Sequence, residues 1–429
     1  MRFLFLALTF LIVNTAQAVD IQEVVTPKLG IKAWLVESHT LPMVNVNISF
    51  KAGSVFDMED KNGIASLTAS LLSEGSGDMD AATFTKEVEK LGGLFSTSAG
   101  QLSSTISMRM LSENKEKSFA LIGQAITNPR FDAEDFERVK DAKITSIQVA
   151  SQNSSHVAHK LLKEHLYENH PYGHPAGGTE SSLQNLSRFD VKRFYDRNYH
   201  LKNMVVSVVG DIQAAELATY LDEIFSGFKE GEVENEFPTQ TPDVTPVVVK
   251  QEMNVPQSTV YLAHKGITRE NPDYYAAYFM NYILGGGGFN SRLMEEIREK
   301  RGLAYGVYSY FEPMPGGGSF IASVSTKNAD APTSIRLIKE EMERLKQGVS
   351  DAEYEGAMSY LKGSFPLRLD SSSKVLGYLN TMQLENLGMD YLDMWTTRIG
   401  KVTKEDVKRM ANKYLHPENL MTVVVGGAE

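Results

Sequence analysis

The sequence predicts an α+β protein built from two homologous domains, each a largely antiparallel sheet with helices packed on one face. Three observations carry that expectation. The chain repeats itself: Asp190-Val191-Lys192-Arg193 recurs as Asp406-Val407-Lys408-Arg409, a shift of 216 residues. Continued without a gap, Asn203 falls on Asn419 and Val208-Val209-Gly210 on Val424-Val425-Gly426. The same shift sets Ser118 on Ser334 and Leu121-Ile122 on Leu337-Ile338, while Asp132-Ala133-Glu134 matches Asp351-Ala352-Glu353 three residues out of register. Secondly, hairpin-like strand pairs stand beside helical runs in both halves, the pattern of an antiparallel sheet with its helices segregated. Thirdly, residues 229–245 (KEGEVENEFPTQTPDVT) are polar, acidic and without helical or strand periodicity, and read as a connecting segment. The halves are therefore placed at residues 19–230 and 246–429, with a linker at 231–245.

Taken in order, residues 1–18 come first. Arg2 is the positive start, residues 3–13 are apolar, and Ala16-Gln17-Ala18 is a small-x-small cleavage site. That is the layout of a secretory signal cut after Ala18, leaving a mature chain from Val19. The run is shorter than the ~20 residues a membrane helix needs. Residues 44–50 alternate as a strand, 62–72 and 81–91 read as helices, 94–99 and 103–110 as strands. Helices follow at 118–126 and 133–167, the second open to a break. An amphipathic helix, an Asn-containing turn and a β-branched strand ending at Gly210 close the first half. The second half repeats the order: a strand at 259–264, helices at 274–284 and 291–298, strands at 304–311 and 319–326. Acidic residues at Asp132 and Asp351 suit helix starts, where free backbone N–H groups want an acceptor.

Composition narrows the function. The 429 residues are 42% hydrophobic and 23% charged, enough for two or three ordinary domains. With 43 Lys and Arg against 54 Asp and Glu, the net charge of −11 argues against sequence-independent nucleic-acid binding and against a polybasic membrane surface. There is no cysteine, which removes disulfides, thiol nucleophiles and cysteine-ligated metals. No later stretch is apolar enough for stable membrane insertion. Export without cysteines points to a bacterial periplasm.

Three motifs stand out: Asn62-Gly63-Ile64-Ala65, His170-Pro171-Tyr172-Gly173-His174-Pro175, and the run from Arg298 through Tyr305 to Tyr308-Ser309. Over nearly the whole mature chain, these residues and the duplication resemble the insulinase/pitrilysin zinc peptidases, in the short-chain branch that includes mitochondrial processing peptidase. In active members a helix after Gly-x-Ala carries His-x-x-Glu-His; two imidazoles hold zinc and the Glu is general base to its water. Here the matching positions are Ser66, Ala69 and Ser70. The family's third ligand is a downstream Glu on a long helix, and around Thr145 and Ser146 none occurs, since no Glu lies between Glu137 and Glu164. The resemblance thus implies an inactive homologue with no zinc and no catalytic residue of its own. It also implies that Arg298 and Tyr305 bind substrate beside another chain's zinc site, a guanidinium and a phenol being suited to a peptide carbonyl or developing oxyanion. On that reading the protein is the noncatalytic, substrate-binding subunit of a periplasmic heterodimeric zinc peptidase, zinc and His-x-x-Glu-His being supplied by a catalytic partner and the substrates being peptides. A scaffold or chaperone-like role without proteolysis is the alternative.

Other candidates weigh less. His156 and His159 would share a helical face near His165, His170 and His174, but no adjacent carboxylate beyond Glu164 or Glu168 completes a metal triad. Gly285 to Gly288 is followed by Phe289 and Asn290, which fits neither a phosphate loop nor a dinucleotide fingerprint; close backbone approach is the better use of those glycines. Ser66 and Ser70 lack a nucleophile elbow.

Overall fold

A computed structural model describes residues 19–242 and 245–427; the segment 1–18 read above as a signal lies outside the described residues. The first half runs β1 (Gln22–Val25), β2 (Lys32–Glu37), β3 (Met43–Phe50), α1 (Ile64–Leu71), the two-residue strands β4 (Gly75–Ser76) and β5 (Met79–Asp80), α2 (Ala81–Lys90), β6 (Leu94–Ala99), β7 (Ser104–Leu111), α3 (Lys115–Thr127), α4 (Ala133–Ala150), α5 (Ser154–Leu166), α6 (Glu180–Gln184), α7 (Arg188–Asn198), β8 (Met204–Gly210) and α8 (Ala214–Ile224). The second runs β9 (Val248–Glu252), β10 (Gln257–Lys265), α9 (Tyr274–Asn281), β11 (Ala304–Met314), β12 (Gly317–Lys327), α10 (Ala331–Lys346), α11 (Asp351–Gly363), α12 (Ser372–Leu384), α13 (Tyr391–Gly400), α14 (Lys404–Tyr414) and β13 (Met421–Gly426).

The first sheet has the order β1-β2-β8-β3-β7-β6 and the second β11-β12-β10-β13-β9. Strand for strand, β9, β13, β10, β12 and β11 repeat β2, β8, β3, β7 and β6. In each sheet one pair is parallel, β2 with β8 and β9 with β13, and the rest antiparallel. The repeated Asp-Val-Lys-Arg has a local cause. Asp190 and Asp406 are the third helical residues of capping boxes with Ser187 and Thr403, each returning a bond to the cap residue's N–H. Asp132 behaves differently from expectation: it is an N-cap without a side-chain bond and its carboxylate turns to Arg130, while in the second copy Ser350, not Asp351, is the cap.

Each sheet carries its own helices on one face. Ile64 and Leu67 of α1, Ile122 of α3 and Phe194 of α7 pack on Val206 and Val208; Phe279 of α9, Ile338 of α10 and Val407 of α14 pack on Val260 and Leu262. The opposite face is covered from the other half. Val157, Ala158, Leu162 and Leu166 of α5 lie on Ala263, Ile321, Met421, Val423 and Val425 of the second sheet. Reciprocally, Val375, Leu376 and Leu379 of α12 lie on Val209 of the first, beside Trp34 and Val36. The shift of 216 residues carries α5 onto 370–382, two residues from α12, so the repeat exchanges the same helix in both directions. Both faces being dry explains why β8 and β13 read as runs of valine.

Polar contacts fix the exchange. Gln383 donates to Val206 O at 3.0 Å and to Ser207 Oγ at 2.6 Å, Ser49 donates to Asn380 Oδ1 at 2.8 Å, and Ser154 and Thr259 hydroxyls meet at 3.0 Å. Lys163 of α5 pairs with Glu312 of β11. The described residues of the segment between α8 and β9 form no helix or strand and are pinned as a strap: Asn235 donates to Lys51 O at 2.7 Å and Asn198 Oδ1 at 2.9 Å, Tyr172 donates to Pro238 O, and Thr241 donates to Gly316 O. Among the described residues no helix is long and apolar enough to cross a membrane.

The exchange predicts a cross-half effect. Leu162→Ala, a cavity mutation in the first half, should cost ~2–5 kcal/mol. Hydrogen exchange should show faster opening in β10 and β13; acceleration confined to the first half would contradict it.

Candidate functional site

The helix that matches the zinc-binding motif is α1. Its start is built by close approach. Gly63, at φ +94°, is the N-cap, and a Cβ there would lie 2.7 Å from Gly177 O. The loop after the His-Pro-Tyr-Gly motif therefore rests directly on the helix start. His170 and Tyr172 shape the preceding turn: the Tyr172 N–H donates to His170 Nδ1 at 3.2 Å, and the Tyr172 ring is fully buried. Asp57 completes the α1 N-terminus, its carboxylate accepting from the Gly63 and Ala65 N–H groups at 2.6 and 3.0 Å. Burial pushes the Asp57 carboxyl up to about 7, against the downward pull of those two bonds.

On α1 the three motif positions share one face, and Ser66 meets α4. Ala69 is buried and offers only a methyl; Ser66 and Ser70 are half-buried hydroxyls. Thr145 and Ser146 are exposed on α4, and Thr145 bonds back to Asp141 O. Lys143 takes the place opposite Ser66, its ammonium donating to Ser66 Oγ at 2.8 Å. Burial lowers the Lys143 pKa, and no charged neighbour contributes. The donor set of this site is thus two neutral hydroxyls and a cation. It does not fit zinc, which needs imidazole, carboxylate or thiolate. Among the described residues no group of three or more His, Cys, Asp or Glu could hold a metal ion.

In the second half the glycine run brings a helix onto a strand. The helix α9 widens into a π turn at Tyr282–Gly286, and a Cβ on Gly285 would lie 2.5 Å from Ser309 Oγ of β11. Asn281 locks the contact, donating to Ser309 O at 2.9 Å and accepting from Ser309 Oγ at 2.7 Å. A second π turn, Met294–Glu299, presents Arg298. Glu296 sets its register: nearly buried, it holds Lys300 and Arg301, and these cations bring its carboxyl down to about 2. β11 then starts with a bulge. Ala304 faces Thr326 and Gly306 faces Ser325, so Tyr305 is the extra residue, thrown outward and 85% exposed.

The structure brings Arg298 and Tyr305 together and adds a third member. The guanidinium lies 4.8 Å from the Tyr305 ring centroid and 4.4 Å from that of Phe289, between two exposed aromatic rings. Its nearest carboxylate is Glu299 at 3.6 Å, itself over half exposed. No hydrogen bond to the described residues occupies its N–H groups, which leaves them free for a carbonyl or carboxylate. Sequence reasoning missed Phe289, whose only signal is its position directly after the glycines, and Lys143, because the family motif calls for an acid in that region of α4.

Between the halves lies a cavity of about 610 Å³, walled by α5, the loop at 173–179, Gln251 and Glu312. His156, His159 and His174 line it. Lys160 is paired with Glu164 at 3.0 Å and Lys163 with Glu312, so its charges are largely internal. Burial and the nearby Lys163 lower the His159 pKa.

Residues 32–180 match a family described as insulinase (peptidase family M16), and residues 185–361 match its companion, the peptidase M16 inactive domain. The chain is 25% identical to a non-peptidase homologue, YmxG, of Helicobacter pylori, covering 91% of this chain and 90% of that one. It is 24% identical to an uncharacterised zinc protease of Rickettsia bellii, covering 90% and 88%. The crystal structure of a peptidase M16 inactive domain from Pseudomonas fluorescens superposes with TM-score 0.89 at 31% identity, over 96% of this chain and 98% of that chain. A chain of complex III2 from Candida albicans shares the fold, with TM-score 0.80 at 17% identity over 95% and 96%.

Asp57 gives a pH test. Its folded pKa is raised, so the stability it contributes is fully present below the unfolded value of 3.8 and is lost as pH rises through about 7. Chemical denaturation should show stability falling by at most ~1.4 kcal/mol per pH unit from this group across that window. Asp57→Asn should remove that slope; an unchanged slope would contradict the assignment.

Proposed function

Since the chain belongs to the insulinase (M16) peptidase family as an inactive homologue, we propose that it is the substrate-binding subunit of a two-chain zinc peptidase, working in trans. The observation that carries this reading is the Arg298 sandwich. A cation held between Phe289 and Tyr305 keeps its donors free and its position fixed, which is what a peptide carbonyl or developing oxyanion needs. A partner of the same family would supply His-x-x-Glu-His and the zinc, while this chain supplies Arg298 and Tyr305 to the same peptide. The signal-like segment at 1–18 supports a periplasmic setting.

A scaffold role has one observation in its favour, the fold shared with a chain of complex III2. The exposed Arg298 sandwich has no use in that role. The linker at 231–245 and the two-domain division belong to the same proposal: both halves are needed, one to present the clamp and one to hold its sheet.

The test is co-expression with a candidate His-x-x-Glu-His partner. The double variant Arg298→Ala, Tyr305→Phe should fold, since Tyr305 is exposed and Arg298 makes no side-chain hydrogen bond to the described residues, and should lower kcat/KM by at least ~10-fold. Unchanged peptide cleavage by a complex that still assembles would contradict the clamp.

A further inference from the structure

Against the face of α1 that carries Ser66 lies an ammonium with no counter-ion among the described residues. Lys143 is partly desolvated, and Ser66 Oγ is its one hydrogen-bond partner among the described residues. Asp141 and Glu134, on α4 itself, are exposed and make no ion pair with Lys143 among the described residues, and the other carboxylates nearby are engaged elsewhere. Glu74, just past the end of α1, and Asp135, on α4, both hold Arg138. Glu137 holds Lys140 at 2.7 Å. Glu180, on α6, accepts from Gln148 at 3.1 Å and Gln184 at 3.4 Å. Asp57 is spent on the backbone at the far end of α1. A cation taken out of water is stabilised only when an anion or several acceptors replace the lost hydration.

We propose that Lys143, with Ser66 and Ser70 beside it, is a binding site for a peptide carboxylate. An ammonium has three donors and Ser66 takes one, leaving two for the two oxygens of a carboxylate. Ser66 and Ser70 are one helical turn apart on the same face, so both hydroxyls border the same spot. A single lysine without an arginine suits a monovalent carboxylate better than a phosphate, which carries more charge and is matched by a guanidinium fork. The surroundings suit a peptide. Ile147, the next turn of α4, forms part of the wall of the inter-half cavity with Val157, Leu161 and Pro175, so a chain anchored at Lys143 has apolar surface to lie on. The site thus replaces a metal's charge with a fixed protein cation. It lies in the half opposite Arg298 and needs no catalytic partner, so it does not rest on the trans reading above.

The carboxylate can come from an Asp or Glu side chain or from a chain terminus. Fluorescence anisotropy on the purified full-length chain separates the two with three short labelled peptides of one sequence: an internal Glu with an amidated C-terminus, its amidated Gln twin, and the Gln twin with a free C-terminus. The Glu peptide or the free-terminus peptide should bind at least ~10-fold tighter than the amidated Gln twin, and which one does identifies the source. Lys143→Met should bring both to the level of the neutral twin, while Lys143→Arg keeps part of the preference. Lys143→Gln gives the same readout should the Met variant fail to fold. Equal binding of all three peptides by the unmodified chain, or a preference that survives in the folded Met or Gln variant, would overturn the proposal.

Discussion

The exchange of α5 and α12 is the constraint on which everything else in this structure depends. Each sheet has one face covered by its own helices and the other by a helix from its twin. Neither half can bury both faces alone, so the halves are one folding unit despite a sequence that reads as two. The Lys163–Glu312 pair, the Gln383 bonds to β8 and the Asn235 strap all serve this arrangement. The same exchange places α5 along the cavity between the halves and orders the loop at 173–179, which in turn rests on the start of α1. The geometry of α1 is therefore held from the opposite half as well as from its own.

On that frame the two halves present different chemistry. The first has machinery that shapes α1 — the glycine N-cap, the half-buried Asp57 and the supporting loop — while the positions that the family resemblance assigns to a metal carry hydroxyls and a methyl, with a lysine opposite. The second half has spent unusual backbone on presentation. Two π turns and a bulge cost regular hydrogen bonds, and what they achieve is an Arg, a Tyr and a Phe fixed in one exposed cluster.

Much of this was legible in the residues. The strand at 94–99 is found as expected, the other strands lie within a few residues of expectation, and the 216-residue repeat anticipated the matching strand order of the two sheets. The break in the helix at 133–167 falls at Ser151–Asn153, where Asn153 caps α5. What stayed hidden has physical reasons. Periodicity shows that α5 has an apolar face but not which sheet it meets, so the exchange could not be read. The π turns look α-helical in sequence because a single wide turn barely alters the spacing of apolar positions. The bulge at Tyr305 depends on register with β12, and a strand read alone has no register. Lys143 escaped because its role follows from reach: its long side chain extends from α4 onto Ser66, whatever the expected ligand spacing.

In this chain the Lys143 ammonium stands against the α1 face that the family resemblance assigns to a metal. That arrangement is tested most directly by metal analysis of the purified chain after equilibration with excess zinc and removal of the unbound ion, alongside a peptide hydrolysis assay. Zinc should stay far below one per chain, with no chelator-sensitive hydrolysis. One zinc held per chain, with cleavage that stops when a chelator removes it, would contradict it.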